Sequence, residues 1–227
     1  MPFLPDLHLP KMPLRQIAMT GIVLAGGYSR RFGGGDKFLT RFPHSSKTLL
    51  QRSADILLQV HGIDRVCISC RQDQARLIGS FLPQCELLTD PPGASVSSPI
   101  YGALAALTTL RTAILVIPCD LPMINSDILS MLAKSREAAQ QEHADPEFLR
   151  HSFIHSDGRV ETLIAIYEYA CLPFLGAAVA SGRYGLYSAI PQYRQKLVPC
   201  PDGTFFLNMN SQADFQEISR IMLNAGA

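Results

Sequence analysis

The stretch GIVLAGGYSRRFGGGDK, residues 21–37, combines a short apolar run, two clusters of glycine and three basic side chains. The run GIVLA, residues 21–25, predicts a buried strand. Glycine permits close backbone approaches, so the turn after this strand can direct successive N–H groups at a phosphate. Arg30, Arg31 and Lys37 add positive charge nearby. A tight turn with solvated basic residues is the simpler alternative, but the combination favours a phosphate-binding loop.

Length and composition are typical of one globular α/β domain. The chain has 227 residues, of which 47% are hydrophobic, and a net charge of +1. Neither the net charge nor the spacing of basic residues favours binding to nucleic acid or to a membrane surface. The six cysteines are irregularly spaced. We therefore expect free, mostly buried thiols and a cytoplasmic location.

Residues 1–19 differ from the rest of the chain. They are rich in proline and lack the unbroken apolar run of a secretory signal. We expect a flexible N-terminal extension at 1–19, or a start at Met19, followed by a single domain at 20–227. The most apolar later stretch, residues 162–180, contains Glu168 and Pro173 and predicts a strand followed by a helix, not a membrane span.

Apolar runs of strand length alternate with segments of helical periodicity along most of the chain. Beyond the first strand, we predict strands at 65–70, 85–90, 113–120, 161–169 and 195–200, and helices at 48–60, 71–82, 100–110, 126–141, from Pro173, and from Ser211. Residues 142–158 are polar and irregular, and we expect a loop there with solvated histidines. The alternation predicts a three-layer α/β/α fold around a mostly parallel, Rossmann-like sheet.

Two common phosphate-binding motifs are absent from the glycine-rich stretch. A P-loop needs glycine directly before its lysine and Ser or Thr after it, whereas Lys37 lies between Asp36 and Phe38. The dinucleotide motif G-x-G-x-x-G is also missing, and no acid ends the second predicted strand. Hydride transfer from a dinucleotide therefore loses support.

Two aspartates follow predicted strands at the sheet edge where ligands of parallel sheets bind. Asp90 ends the strand at 85–90, and Asp120 follows the longest apolar strand in a loop held by Pro118 and Pro122. A carboxylate at this edge can hold Mg²⁺, which prefers oxygen ligands and often binds substrate phosphates. Since turn and capping aspartates are common, Asp120 becomes the metal candidate because it accompanies a phosphate loop.

The segment FLNMNSQADF, residues 206–215, offers two short amides before the last predicted helix. Asn208 and Asn210 share a face if this segment is extended. Asn210 can add an oxygen ligand to the metal, although helix capping remains open for Asn210 and Ser211. The pair of cysteines in CISC, residues 67–70, has metal-site spacing, but in a strand they point to opposite faces and predict core packing.

These motifs together resemble the molybdenum cofactor guanylyltransferases, the MobA-type nucleotidyltransferases. The resemblance rests on LAGGYSRRFGGGDK (24–37), SPIYGAL (98–104), IPCDLP (117–122) and LNMNSQADF (207–215), and it extends from about residue 20 to near the C-terminus. It implies a sheet of the nucleotide-diphospho-sugar-transferase type. It also implies transfer of GMP from GTP to the terminal phosphate of molybdopterin, or of its molybdenum form, with release of pyrophosphate.

The resemblance also implies roles for individual residues. Leu24, Ala25, Gly26 and Gly27 would line the nucleotide; Arg31 and Lys37 would bind the triphosphate. Asp90 would face guanine, Asp120 would bind Mg²⁺, and Asn208 and Asn210 would lie near the metal and the pterin. GTP and molybdopterin are the implied substrates, Mg²⁺ is the implied cofactor, and molybdoenzyme maturation proteins are open as partners. Such transfer depends on positioning and charge neutralisation, so no covalent nucleophile is required.

Two positions depart from the family pattern. Cys70 replaces an asparagine near the end of the second strand, so a polar contact to the nucleotide is expected to be lost. Ser98 replaces a glycine before the later helix, so its side chain is expected to narrow the nucleotide pocket. Two other functions stay open: cytidylyl or other nucleotidyl transfer to a different acceptor, and a non-catalytic GTP-binding regulator of the same fold.

Overall fold

The computed structural model describes residues 18–27, 32, 36–42, 45–90, 98–142 and 148–225. The predicted extension up to Ile17, Arg30 and Arg31, and the loop at 91–97 lie outside these residues. The strands are β1 (Met19–Leu24), β2 (Ile63–Cys70), β3 (Glu86–Thr89), β4 (Ala113–Pro118), β5 (Arg150–Ile154), β6 (Val160–Tyr167) and β7 (Gln195–Pro199). The helices are α1 (Leu49–Leu58), α2 (Ala75–Phe81), α3 (Pro99–Leu110), α4 (Ser126–Glu142), α5 (Leu172–Ala180), α6 (Leu186–Ala189) and α7 (Gln212–Ala225).

The strands form one sheet with the order β3-β2-β1-β4-β6-β5-β7. β6 runs antiparallel to both β4 and β5, and the other pairs are parallel. The prediction of a mostly parallel sheet is confirmed. From β1 the chain builds outward through β2 and β3 and then returns to place β4 on the other side of β1. Ligands of such sheets bind where the strand order reverses, beyond the carboxyl ends of the two central strands.

Helices cover both faces of the sheet, as the predicted three-layer α/β/α fold requires. One face packs against α1, α2 and α4, through side chains such as Leu57, Ile78 and Leu129. The other face packs against α3 and α5, through side chains such as Leu107 and Leu175. Alternate residues of each strand point to opposite faces, so a strand buried between two helical layers needs apolar side chains at nearly every position.

The cysteines behave as expected of core residues. All six are free thiols, and four of them are fully buried. Cys67 packs on the α3 face, whereas Cys70 packs on the α1 face, so the two cysteines of CISC point in opposite directions. The prediction of core packing for these two cysteines is confirmed.

The expected loop at 142–158 is wrong in part. Residues Arg150–Ile154 form β5, an inner strand of the sheet between β6 and β7. His151 is buried there and His155 is paired with Glu161, so these two histidines are not solvated loop residues. The sequence does not indicate this strand because it contains polar residues. Arg150 and His151 are nevertheless buried, since their side chains have hydrogen-bond partners on neighbouring elements.

The first strand begins at Met19, the last residue of the predicted extension. Met19 is buried and pairs with Ile63 of β2 and Ala113 of β4, so it is part of the core. None of the described helices is long and apolar enough to cross a membrane.

Candidate active site

A cavity of about 300 Å³ lies at the carboxyl ends of β1 and β4, where the strand order reverses. This volume is at the small end of the range for ligand pockets. Its wall comprises Leu24, Ala25, Gly26, Gly27, Lys37, Phe38, Ser69, Asp90, Ser98, Pro99, Gly102, Pro118, Cys119, Asp120 and Leu163. Seven of the predicted site residues are therefore brought together around one space, namely Leu24, Ala25, Gly26, Gly27, Lys37, Asp90 and Asp120.

Lys37 and Asp120 line this cavity, and Asn210, from a third distant part of the chain, contacts Lys37. The Lys37 ammonium donates to Asp120 Oδ2 at 2.7 Å and to Asn210 Oδ1 at 3.2 Å. The side chains of Lys37 and Asp120 are only 11% and 19% exposed, so little water screens their charges. A fixed cation beside a cavity is suited to binding an anionic substrate.

Backbone contacts fix the loop that carries Asp120. The Asp120 carbonyl accepts from the N–H of Met209, which joins this loop to the segment before α7. On the other side, the guanidinium of Arg52 in α1 donates to the carbonyls of Pro122 and Ile124. Burial lowers the pKa of Arg52. The carboxylate of Asp120 is therefore presented from a loop braced by α1 and by the chain around Met209.

The side chain of Asn210 contacts Lys37, whereas Ser211 and Asp214 cap the last helix. The Ser211 hydroxyl accepts from the N–H of Asp214, and the Asp214 carboxylate accepts from the N–H groups of Asn210 and Ser211. These backbone hydrogen bonds, led by that of Asn210, lower the pKa of Asp214. The predicted cap at Ser211 is confirmed. Asn208 and Asn210 are both exposed and flank buried Met209, which is the alternation expected of an extended segment.

The donor set at Asp120 fits a magnesium ion that also binds substrate phosphates. Asp120 Oδ1 is buried and has no hydrogen-bond partner among the described residues. Asn210 Oδ1 accepts from Lys37, the same ammonium that contacts Asp120. Within the described part of the chain, no three His, Cys, Asp or Glu side chains group as a complete metal site. Mg²⁺ often takes only one or two carboxylates and completes its shell with water and phosphate, so Asp120 and Asn210 are adequate ligands.

Asp90 lines the cavity beside the glycine turn, directly after the carboxyl end of β3. A side-chain carbon added at Gly26 would lie 3.9 Å from Asp90 Oδ2, so the carboxylate faces the glycine turn closely. Burial raises the pKa of Asp90, and the nearby positive charge of Arg71 opposes the increase. No hydrogen bond reaches the Asp90 carboxylate from the described residues. A partly desolvated carboxylate of this kind favours a ligand that brings N–H donors.

Helix α3 forms one wall of the cavity and approaches the sheet closely at Gly102. A side-chain carbon there would lie 2.5 Å from Ser69 Oγ and 2.9 Å from Leu24 Cδ2, distances that force a displacement. Glycine at this position therefore lets α3 lie against the ends of β1 and β2. The sequence does not indicate this role of Gly102, because a glycine inside a helical pattern does not by itself predict close packing.

The two departures from the family pattern have different structural outcomes. Cys70 is buried in the core and does not line the cavity, whereas its neighbour Ser69 does. Ser98 lines the cavity, and its hydroxyl donates to the carbonyl of Tyr184 at 2.8 Å. The Ser98 hydroxyl is thus directed toward the segment between α5 and α6, and it ties this segment to the start of α3.

Cys119 lies beside Asp120 in the cavity wall, yet it is not suited to nucleophilic chemistry. Burial, together with the charge of Asp120 and against the opposing effect of Lys37, raises the pKa of its thiol to about 12. The thiolate is the reactive form of cysteine, so this thiol is inert near neutral pH.

Comparison with known proteins agrees with this geometry. Residues 21–197 match the family described as the MobA-like NTP transferase domain. The chain belongs to this family. It is 29% identical to the molybdenum cofactor guanylyltransferase of Pseudomonas fluorescens over 182 residues, covering 80% of this chain and 83% of the relative. It is 28% identical to the probable molybdenum cofactor guanylyltransferase of Thermococcus kodakarensis, covering 88% and 94%. The protein is therefore a nucleotidyltransferase.

Solved structures share the fold of this MobA-like domain. The molybdopterin-guanine dinucleotide biosynthesis protein A of Archaeoglobus fulgidus superposes with a TM-score of 0.70 at 21% identity, covering 91% of this chain and 100% of that one. A cytidylyltransferase from Leptospira borgpetersenii superposes with a TM-score of 0.64 at 16% identity, covering 90% and 85%. At these identities the likeness shows the fold alone.

Two predicted site residues within the described part of the chain, Asn208 and Asn210, are absent from the cavity wall. Arg31 lies outside the described residues, so its predicted contact with the triphosphate stays a prediction. Asn208 is exposed and is absent from the cavity lining, unlike Lys37, Asp120 and Asp90. Its predicted place on the pterin side of the site also stays a prediction.

The sequence does not indicate two side chains that hold the glycine turn and the residue before Lys37. Arg71 Nη1 donates to the carbonyls of Gly26 and Gly27, at 3.0 Å each. Gln74 is buried and donates to Asp36, the residue before Lys37. Both follow β2 at the start of the segment 71–82 that the sequence predicts as a helix, whereas α2 begins only at Ala75. Only the position of β2 beside β1 indicates their role.

Proposed function

We propose that this protein transfers the GMP moiety of GTP to the terminal phosphate of molybdopterin. An oxygen of the acceptor phosphate attacks the α-phosphorus of GTP, the bond between the α-phosphorus and its bridging oxygen breaks, and pyrophosphate leaves. The acceptor phosphate is already an anion near neutral pH, so the reaction needs no general base. The names of the curated relatives support this choice of substrates.

The convergence of Lys37, Asp120 and Asn210 beside the cavity carries the proposal. In a transfer of this kind, negative charge moves onto the leaving pyrophosphate. The Lys37 ammonium is held in a weakly solvated position by Asp120 and Asn210, and it stabilises that charge without reorganising. Mg²⁺ bound by Asp120 would supply further neutralisation of the phosphates.

The glycine turn and Asp90 support the choice of a guanine nucleotide as the ligand. Gly26, Gly27 and Lys37 all line the cavity, and they suit the phosphates. Asp90 suits guanine, because a carboxylate accepts from both the N1–H and the exocyclic amine of that base. The raised pKa of Asp90 reflects a desolvated charge that such donors would stabilise.

The test is to mix the purified protein with Mg²⁺, molybdopterin and each of the four nucleoside triphosphates, and to follow pyrophosphate release. We expect release with GTP, and loss of release in Asp120→Ala. Asp64→Ala is the matched control, because Asp64 is an exposed acid at the start of β2, the opposite end of the sheet. Release mainly with CTP would contradict the role of Asp90 while keeping the transfer mechanism. Binding of GTP without any release would contradict catalysis and favour a regulator.

A further inference from the structure

The glycine turn is held by a cluster of side chains that lies outside the cavity. We call Arg71, Asp73 and Gln74 the bracket. Arg71 donates through Nη1 to the carbonyls of Gly26 and Gly27. Gly26 and Gly27 line the cavity, whereas none of the three bracket residues does. The bracket therefore contacts the turn without being part of the cavity wall.

Asp73 fixes the direction of the Arg71 guanidinium. Its two carboxylate oxygens accept from Nε at 3.0 Å and from Nη2 at 2.9 Å, which is the bidentate arrangement of a strong Arg–carboxylate pair. The hydrogen bonds from Arg71 lower the pKa of Asp73. With Nε and Nη2 engaged by Asp73, Nη1 is the nitrogen that reaches the two glycine carbonyls.

Gln74 extends the bracket to the far end of the glycine-rich stretch. Its side-chain oxygen accepts from the N–H of Arg71, and its side-chain nitrogen donates to Asp36 Oδ1 at 3.2 Å. Gln74 is only 3% exposed, so these hydrogen bonds are costly to lose. One bracket thus holds both ends of the loop, at the Gly26-Gly27 turn and at the residue before Lys37.

The direction of the carbonyls determines what the cavity presents to a ligand. In a trans peptide the C=O and N–H groups point in opposite directions. Because the Gly26 carbonyl accepts from Arg71, the N–H of Gly27 in the same peptide points away from Arg71. Carbonyl oxygens engaged by Arg71 are less able to repel a phosphate, and the N–H of Gly27 is a donor for it.

We propose that Arg71, held by Asp73, is a positioning residue that turns the glycine loop into a phosphate-binding conformation. The inference rests on the proposed function in so far as it treats the cavity as a nucleoside triphosphate site. It goes further by assigning phosphate affinity to a side chain that does not touch the nucleotide. Loss of the bracket should weaken binding of the phosphates and leave binding of the base unchanged.

The test compares the dissociation constants for GTP with Mg²⁺ and for guanosine, measured by titration calorimetry. In Arg71→Met we expect the Kd for GTP to rise about tenfold, the equivalent of one charge-assisted hydrogen bond, while the Kd for guanosine changes less than about twofold. Arg71→Lys should restore part of the affinity, because an ammonium can donate to a carbonyl but cannot bind Asp73 in the bidentate manner.

Two further variants control for folding and for charge. Asp73→Asn changes an exposed residue, so it should fold normally, and it should raise the Kd for GTP in the same direction by about two- to threefold. Arg65→Met, at the other end of β2, removes a half-exposed arginine that pairs with Glu86 and contacts Thr20. It should leave both dissociation constants unchanged.

The outcomes separate this inference from the proposed function. An unchanged Kd for GTP in Arg71→Met, or an equal rise for GTP and guanosine, would overturn the positioning role. Pyrophosphate release by the parent protein tests the proposed function independently. If the parent binds GTP but releases no pyrophosphate, and Arg71→Met still weakens GTP alone, the positioning role holds and the proposed transfer reaction fails.

Discussion

The sheet has two parts that are stabilised in different ways. In the nucleotide half, formed by β3, β2, β1 and β4, every strand pair is parallel and the buried side chains are mainly apolar. In the polar half, formed by β6, β5 and β7, β6 runs against its neighbours and the fully buried residues include Arg150 and Ser152. The first half supplies the site from its strand ends. The second relies on specific hydrogen bonds, and its connection to α7 brings Asn210 to that site.

The difference predicts where each half is vulnerable. Changes at strand ends of the nucleotide half should affect ligand binding and catalysis, with little effect on stability. Changes to buried polar groups of the polar half should affect stability, with little effect on nucleotide binding. A buried polar group that loses its partner is costly, whereas a residue at a cavity edge can regain water.

The largest expected effect is on catalysis, from Lys37→Met in the nucleotide half. Removing the ammonium between Asp120 and Asn210 should lower kcat/KM for pyrophosphate release by about 10²–10³-fold, the usual result of losing one charge-stabilising group. Lys47→Met is the control, because that lysine pairs with Asp55 on an exposed surface. A Lys37→Met enzyme within threefold of the parent would contradict the role of Lys37.

The second largest effect is on stability, from Arg150→Met in the polar half. Arg150 is fully buried and donates to the Leu186 carbonyl at 3.0 Å and to Gln195 Oε1 at 2.5 Å. Leaving these acceptors unpaired should lower the free energy of unfolding by about 3 kcal/mol. Urea unfolding measures this loss, and the Kd for GTP should stay unchanged.

Arg159→Met is the matched control for Arg150. Arg159 pairs with Glu161 in the same strand hairpin but is 58% exposed. Exposed pairs contribute at most about 1 kcal/mol, so this variant should unfold almost as the parent does. Equal destabilisation by the two variants would show that burial of Arg150 has no special importance.

The same contrast explains how much of the molecule could be predicted from the sequence. Strands such as β4 are apolar along their whole length because both faces are covered, and the pattern indicates them directly. The sequence pattern does not predict β5, because a strand that contains Arg150, His151 and Ser152 has the composition of a loop. Only the partners of Arg150 and His151 reveal it, and those partners lie on α4, α6 and β7.

The candidate site shows the same limit. Lys37, Asp90 and Asp120 follow or adjoin apolar strands and carry charges, so they could be identified one by one. Arg71 and Gln74 could not, because their function depends on which strand lies beside β1. Gly102 was hidden for a related reason, since only the packing of α3 on Ser69 and Leu24 shows why a side chain is excluded.

A smaller effect is expected from Gly102→Ala, which tests this packing. The added carbon would lie 2.5 Å from Ser69 Oγ, so α3 or the strand ends must move, at a cost of about 2 kcal/mol in the free energy of unfolding. The Kd for GTP should rise as well, because the residues that must move line the cavity.

Gly176→Ala is the control in α5: nothing lies within 4 Å of its added carbon, and the protein should gain about 0.5–1 kcal/mol from better helix propensity. Destabilisation of similar size in both variants would contradict the packing argument.

The smallest expected effect is a pH dependence of stability from His151 in the polar half. Burial lowers the pKa of His151 from 6.5 to about 4, and the charges of Arg136 and Lys196 act in the same direction. Between these two pH values the unfolded chain binds a proton that the folded protein does not bind. This part of the stability is therefore fully present above pH 6.5 and is lost as the pH falls toward 4, with a loss of about 1–2 kcal/mol by pH 5.

Unfolding of the parent and of His151→Gln in urea at pH 7 and pH 5 measures this loss, since the variant should lose less stability than the parent over that interval. His61→Gln, which changes an exposed histidine, should follow the parent. If His151→Gln loses as much stability as the parent, the imidazole is not kept neutral by its burial, and the polar half owes its acid sensitivity to other groups.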